Sequence, residues 1–234
     1  MKIKLGSVQL GLFSPGIIIV NKLKVANDIN DKLSNLFDGD PVIVPLAENA
    51  PSDFPSLQMN TKNGQYNLTI AKSRLDFYFN DQKEDEKYSL PVPNLNDKIL
   101  TIFQYFTVNL HTQFTRCAIV TKSIIELEKE AASEHILLTY IREKLPIINP
   151  YELQVRYLIK DSIAEFKVNK WVYIKSARKI SDPSRNRLIV LEIDINTLAE
   201  EEYTLDEQSL QRFLDQSVSN INKVIDNHLK IIAE

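Results

Sequence analysis

Apolar positions along the chain recur first with a period of two and then with a period near 3.6, and the exchange between these two patterns marks out the elements. Ile3, Leu5, Val8, Leu10 and Leu12 alternate with small or polar residues, and Ile17 to Val20 is a second β-branched run beyond Ser14-Pro15-Gly16. This predicts a buried N-terminal hairpin. It does not predict a secretion signal, because Gln9 and the Pro-Gly turn interrupt the run and no small-x-small site follows. Ala26, Ile29, Leu33, Leu36 and Phe37 share a helical face, so a helix is expected from Lys22 to Asp38, capped by Asn21 and closed by a left-handed Gly39. The prolines at 41, 45, 51 and 55 predict an extended loop.

A first meander follows: Leu57 and Met59, the Asn63-Gly64 turn, Tyr66 to Ile70, and a third strand that buries Leu75, Phe77 and Phe79. Asp81 to Lys87 reads as a solvated charge run. Asn94 is expected to cap an amphipathic helix with Leu95, Ile99, Ile102, Phe103, Phe106 and Leu110 on its stripe, lying on this meander. Phe114 to Ile125 predicts a strand, and Ser133 to Ile141 a short helix.

The second meander, from Tyr151 to Leu198, feeds a long helix. Leu153, Val155, Tyr157 and Ile159 alternate with polar residues, and an Asp161-Ser162 turn would set Ile159 opposite Ala164, Tyr157 opposite Phe166 and Val155 opposite Val168. The second strand then runs on through Val172 and Ile174, which match Ile193 and Leu191 of the third. Lys170 falls on the apolar face, where an unpaired ammonium costs several kcal/mol; it is expected to snorkel at a sheet end or to mark a hairpin turn at Asn169-Lys170. Thr204-Leu-Asp-Glu207 reads as a capping box for a helix whose stripe is Leu210, Phe213, Leu214, Ile221, Val224, Ile225 and Ile232.

The fold class is therefore α+β, antiparallel meanders covered by amphipathic helices with a long C-terminal helix. Two prolines between Leu145 and Pro150 suggest an N-terminal half, 1–145, and a second unit, 151–234; one composite domain fits as well. Meander followed by helix occurs over 55–111 and again over 151–231, without a residue-level repeat.

Composition adds bounds. A formal charge of −3 gives no global pull toward nucleic acid or anionic membrane, and no apolar run reaches the ~20 residues of a membrane helix. The single cysteine, Cys117, cannot form an internal disulfide, so a cytoplasmic protein is expected. His111, His135 and His228 are too scattered for a zinc site. Asp38-Gly-Asp40 lacks the other ligands of a cation loop. Glu165-x-Lys167 with Asp161 gives a weak metal-nuclease pattern, outweighed by simple strand alternation.

Charge is concentrated in one place: eight basic against three acidic residues lie between Lys160 and Arg187. In the register above, Arg156, Lys167, Trp171, Tyr173 and Lys175 share the outer face, with Arg178 beyond them and Glu192 and Asp194 beside the aromatics. These eight residues form the candidate binding site. No catalytic or metal residue and no cofactor is assigned, so the expectation leans away from an enzyme. Trp, Tyr and Arg are the residues that anchor interfaces, so the expected partner is another protein. Nucleic acid on the basic-aromatic face is the first alternative, and a small ligand held between sheet and long helix, as in helix-grip carriers, the second. Self-association through the C-terminal helix is a further option; no membrane partner is expected.

Asp53-Phe-Pro-Ser-Leu57 before the first meander, Arg116-Cys-Ala-Ile-Val120 after the middle helix and Leu191-Glu-Ile-Asp-Ile-Asn196 before the last helix resemble an uncharacterised, sporadically distributed prokaryotic family of similar length. That family's strand usually continues with a Tyr and an Asn after the Arg, where this chain has Thr121-Lys122-Ser123. The resemblance implies a bacterial cytoplasmic protein with a non-enzymatic role and supplies no site residues.

Overall fold

The structure, a computed structural model, describes residues 2–47, 49–82, 88–127, 131–141, 150–178, 187–201 and 203–233. Its strands are β1 (Lys2–Phe13), β2 (Val42–Ile43), β3 (Leu57–Asn60), β4 (Tyr66–Ile70), β5 (Arg74–Asn80), β6 (Arg116–Glu126), β7 (Gln154–Ile163), β8 (Phe166–Ala177) and β9 (Leu188–Thr197). They form one nine-stranded sheet in the order β2-β3-β4-β5-β1-β6-β9-β8-β7, and every pairing is antiparallel. The helices are α1 (Lys22–Lys32), α2 (Leu95–Gln104), α3 (Ala132–Ile136) and α4 (Glu207–Ala233). This is the α+β architecture that the two periodicities call for.

The apolar N-terminal run becomes β1, the middle strand of the sheet, held between β5 and β6. A bulge between Leu5 and Ser7 takes up Gly6, whose added Cβ would come within 3.2 Å of the Lys122 carbonyl. The second half of the expected hairpin does not form: Ile17 is buried and its N–H bonds the Lys72 carbonyl, while Ile18 and Val20 face solvent. α1 is capped by Asn21 as expected, through the Lys24 N–H at 3.0 Å. It ends at Lys32 and not at Asp38, because Ser34 and Asn35 take left-handed φ values of 56° and 57° and the Asn30 amide grips both backbone groups of Phe37. Gly39 is needed for a close approach instead, since a Cβ there would lie 2.7 Å from the Asn60 carbonyl. Within the proline-rich loop, Val42 and Ile43 pair with β3 as a short edge strand.

The first meander is β3–β5, and Leu75, Phe77 and Phe79 are buried. Asn94 corrects its expected role: it adopts φ 58° and its side chain caps nothing. α2 carries the expected stripe and widens into a π-type turn over Tyr105–Asn109, which buries Tyr105 as well.

In the second meander the expected β7–β8 turn is wrong. The chain turns at Ala164-Glu165, with Ala164 left-handed at φ 51°. Tyr157 therefore faces Val172, Val155 faces Ile174 and Ile159 faces Lys170. β8 and β9 pair as the pattern predicts, with Val172 opposite Ile193 and Ile174 opposite Leu191. β8 is a single strand, so Asn169-Lys170 is not a turn. Lys170 neither snorkels nor breaks the strand: it is 5% exposed, and its ammonium donates to Asp161 Oδ2 at 2.8 Å and to Asn220 Oδ1 at 2.9 Å. The pairing of β6 with β9 joins the two sequence halves in one sheet. The Leu145–Pro150 segment lies outside the described residues apart from Pro150, as does most of the Asp81–Lys87 charge run.

α4 also starts later than expected. Asp206 is the capping residue: its carboxylate accepts from the Ser209 N–H at 2.7 Å and the Ser209 hydroxyl accepts from the Asp206 N–H at 3.0 Å, a reciprocal pair. The helix lies along the inner face of the sheet, with Leu210, Phe213, Leu214, Ile221, Ile225 and Ile232 buried in one cluster with both meanders. Its far end is held within the chain, where His228 bonds the hydroxyls of Tyr140 at 2.9 Å and Tyr157 at 2.7 Å. Among the described residues, no helix is long and apolar enough to cross a membrane.

Candidate functional site

β8 lies between β7 and β9, so outward side chains at its centre have neighbours on both sides. Trp171 and Tyr173, two residues apart on one strand, point to the same face, and their ring centroids are 6.2 Å apart. The register sets Arg156 and Glu192 on either side of Tyr173, and Asp194 beside Trp171. The error in the β7–β8 turn did not disturb this grouping, because an even shift keeps every side chain on its own face.

Arg156 lies across both rings. Its guanidinium carbon is 3.9 Å from the Trp171 centroid and 4.7 Å from that of Tyr173. Rings hold the charge through their quadrupole but accept no strong hydrogen bond. Among the described residues no hydrogen bond engages the Arg156 N–H groups, so their planar fork is available to a carboxylate. On β9, Glu192 lies 3.4 Å from Lys122 of β6, and Asp194 accepts from the Asn196 amide at 2.9 Å. Burial pushes the Asp194 carboxyl up; the Asn196 bond opposes this, Glu192 adds to it, and Arg156 draws it down.

Of the eight predicted residues, Arg156, Trp171, Tyr173, Glu192 and Asp194 come together. Lys175 adjoins them, opposite Gln154 and Val190. Lys167 stands apart at the other end of β8, paired with Glu201 at 2.6 Å. Arg178 stacks on the Tyr151 ring at 3.5 Å and donates to its hydroxyl, beyond the strand end. Lys179, Asp182 and Arg185, which contribute to the charge balance, lie outside the described residues. Lys122 and Asn196 complete the row; alternation along the third strand turns Asn196 outward with Glu192 and Asp194, but sequence reasoning missed Lys122. Lys122 occupies the outward parity of β6, but nothing local says that β6 neighbours β9.

The other chemistry weighed from the sequence is taken up by structure. Glu165 pairs with Arg212, Lys167 with Glu201 and Asp161 with Lys170, so the nuclease-like triplet does not converge. Cys117 is buried, and desolvation pushes its thiol well up, toward the inert neutral form. Asp38 accepts from the Lys62 N–H as a loop tie. Among the described residues, no group of His, Cys, Asp and Glu is arranged to hold a metal ion. An open cleft of about 470 Å³ lies against α4, lined by Pro91, Asn96, Asp215, Asn222 and Asp226, between α2 and α4 and not between sheet and helix. No protein-family model and no curated protein matches the chain.

Proposed function

We propose that this protein is a non-enzymatic binding module that engages another protein through the outer sheet face spanned by residues 156–194. The observation that carries the reading is Arg156 laid over Trp171 and Tyr173 with its N–H fork unused. Aromatic rings with an ordered arginine are low-entropy anchors, and half-buried aromatics next to charged neighbours suit a wet, polar-rimmed contact.

Nucleic acid fits less well. The ring face that would stack a base is occupied by Arg156, and Glu192 and Asp194 stand where phosphates would run. A ligand carrier would need space between sheet and α4, where Phe166 and Phe213 instead meet edge to face at 5.9 Å.

The test compares immobilised wild-type protein with a Trp171→Ala/Tyr173→Ala double variant in capturing proteins from its host's lysate. A protein held by the wild type and lost by the variant, at nearly equal melting temperatures, supports the reading. Steeply salt-dependent binding of generic oligonucleotides would shift it to nucleic acid. A large fall in melting temperature would show that the rings serve the fold, and the reading would be abandoned.

A further inference from the structure

Among the described residues, no strand pairs with either end of the sheet, and the two edges differ in character. At one end β2 has only two residues, preceded by Pro41 and followed closely by Pro45, a combination that blunts an edge. At the other end β7 runs for ten residues with no proline, glycine or bulge. Leu158 and Ile159 at its middle are 38% and 41% exposed.

The hydrogen-bonding parity of this edge can be fixed. The Lys167 carbonyl accepts from Leu198 and the Ser176 N–H donates to Leu153. Odd-numbered residues of β7 therefore bond β8, and the backbone groups of Arg156, Leu158 and Lys160 point away from the sheet. The side chains of that same set form the outer row: Gln154, Arg156, Leu158, Lys160 and Ser162, with two cations and no carboxylate. The inner row is apolar apart from Asp161, which is already bound to Lys170.

We propose that the free edge of β7 accepts an extended acidic segment of a partner protein as an added strand. Carboxylates on alternate residues would meet Arg156 and Lys160, and apolar side chains between them would extend the inner face beside Tyr157 and Ile159. Charge selects this occupant over a second copy. Two copies paired about Leu158 would set Arg156 against Lys160, and no register between copies of β7 supplies an acid to the outer row. The inference goes beyond the outer-face reading and stands without it.

The experiment is fluorescence anisotropy with a labelled seven-residue peptide alternating valine and glutamate, and a matched peptide with lysine in place of glutamate. The wild type should bind the first saturably and not the second. Leu158→Pro removes an outward N–H at a position where an edge tolerates proline, and should weaken binding about tenfold or more with the circular dichroism spectrum unchanged. Arg156→Glu/Lys160→Glu should exchange the preference for the lysine peptide, which keeps the test valid if the proline variant misfolds. Absence of saturable binding, equal binding of both peptides, or a wild-type dimer in sedimentation that the peptide does not dissociate would each overturn the proposal.

Discussion

On its inner face β8 carries Phe166, Val168, Lys170, Val172 and Ile174, all buried; on its outer face it carries Lys167, Asn169, Trp171, Tyr173 and Lys175, none of them buried. The two faces share one backbone and differ in how they treat a cation. Inside, the Lys170 ammonium meets a carboxylate and an amide oxygen at hydrogen-bond distance, so the burial cost is offset within the chain. Outside, Arg156 is fixed by rings that leave its donors unused. The inner face is chemically closed and the outer face is open, and that difference, more than the basic excess of the sequence, directs attention to the outer one.

The comparison breaks most visibly from the inside. Phe213 of α4 is fully buried and packs edge to face on Phe166. Phe213→Ala should cost about 3–5 kcal/mol, the range for removing a buried aromatic, measured by denaturant unfolding. A loss below about 1 kcal/mol would mean that α4 does not close this face.

The ion pair comes next. Asp161 has a side chain 42% exposed, while that of Lys170 is 7% exposed, so solvent screens one partner only. Asp161→Ala strands a buried ammonium and should cost about 2 kcal/mol, below the range for a fully enclosed pair. Lys170→Met removes the charge itself and should be near neutral or stabilising. Equal losses from the two variants would contradict the account. The Lys170 hydrogen bond, the largest cause, holds the Asp161 carboxyl below the usual aspartate range. Its contribution is present above the unfolded value near pH 4 and is lost as pH falls through the lowered folded value.

Lys170 also shows how much was legible in the sequence. Period-two alternation gave the faces of all three strands and the β8–β9 partners, where Val172 meets Ile193 and Ile174 meets Leu191. It could not give the β7–β8 partners: sliding the pairing by six residues preserves every face, so Asp161-Ser162 and Ala164-Glu165 serve equally well as the turn. The more polar pair looked like better turn chemistry, yet it is Ala164 that takes the left-handed conformation. That misplacement put Asp161 in a loop and left Lys170 without a counter-ion. In the true register Asp161 stands opposite Val168, diagonal to Lys170 on the same face. Long-range neighbours were illegible for a plainer reason. Nothing in β6 names β9, so Lys122 beside Glu192 could not be foreseen, and Asn220 lies 50 residues from Lys170.

A smaller effect is expected where His228 of α4 meets Tyr140, just beyond α3, and Tyr157 of β7. Burial lowers the His228 imidazole from its ordinary value of 6.5, and both ring nitrogens engage tyrosine hydroxyls. Because the folded protein disfavours the imidazolium, the contribution of His228 is fully present above about pH 6.5 and is lost as pH falls toward and through the lowered value. Thermal melts of the wild type should show this slope between about pH 7 and pH 5, and His228→Phe should flatten it. An unchanged slope in the variant would assign it to other groups.

Only a modest loss of stability should come from truncating the open face itself. Trp171 and Tyr173 are half-buried, and their contacts are with each other and with an exposed arginine. Exposed cation–π contacts contribute about 0.5–1 kcal/mol each, and the strand hydrogen bonds to β7 and β9 do not depend on these side chains. The Trp171→Ala/Tyr173→Ala variant should therefore unfold within about 1–2 kcal/mol of the wild type, below the Phe213→Ala loss, although it removes two aromatic rings. The ratio of these two losses measures the asymmetry of the faces directly. If the outer pair costs as much as the buried phenylalanine, the outer face supports the fold as the inner one does, and the rings have no surplus to offer a partner.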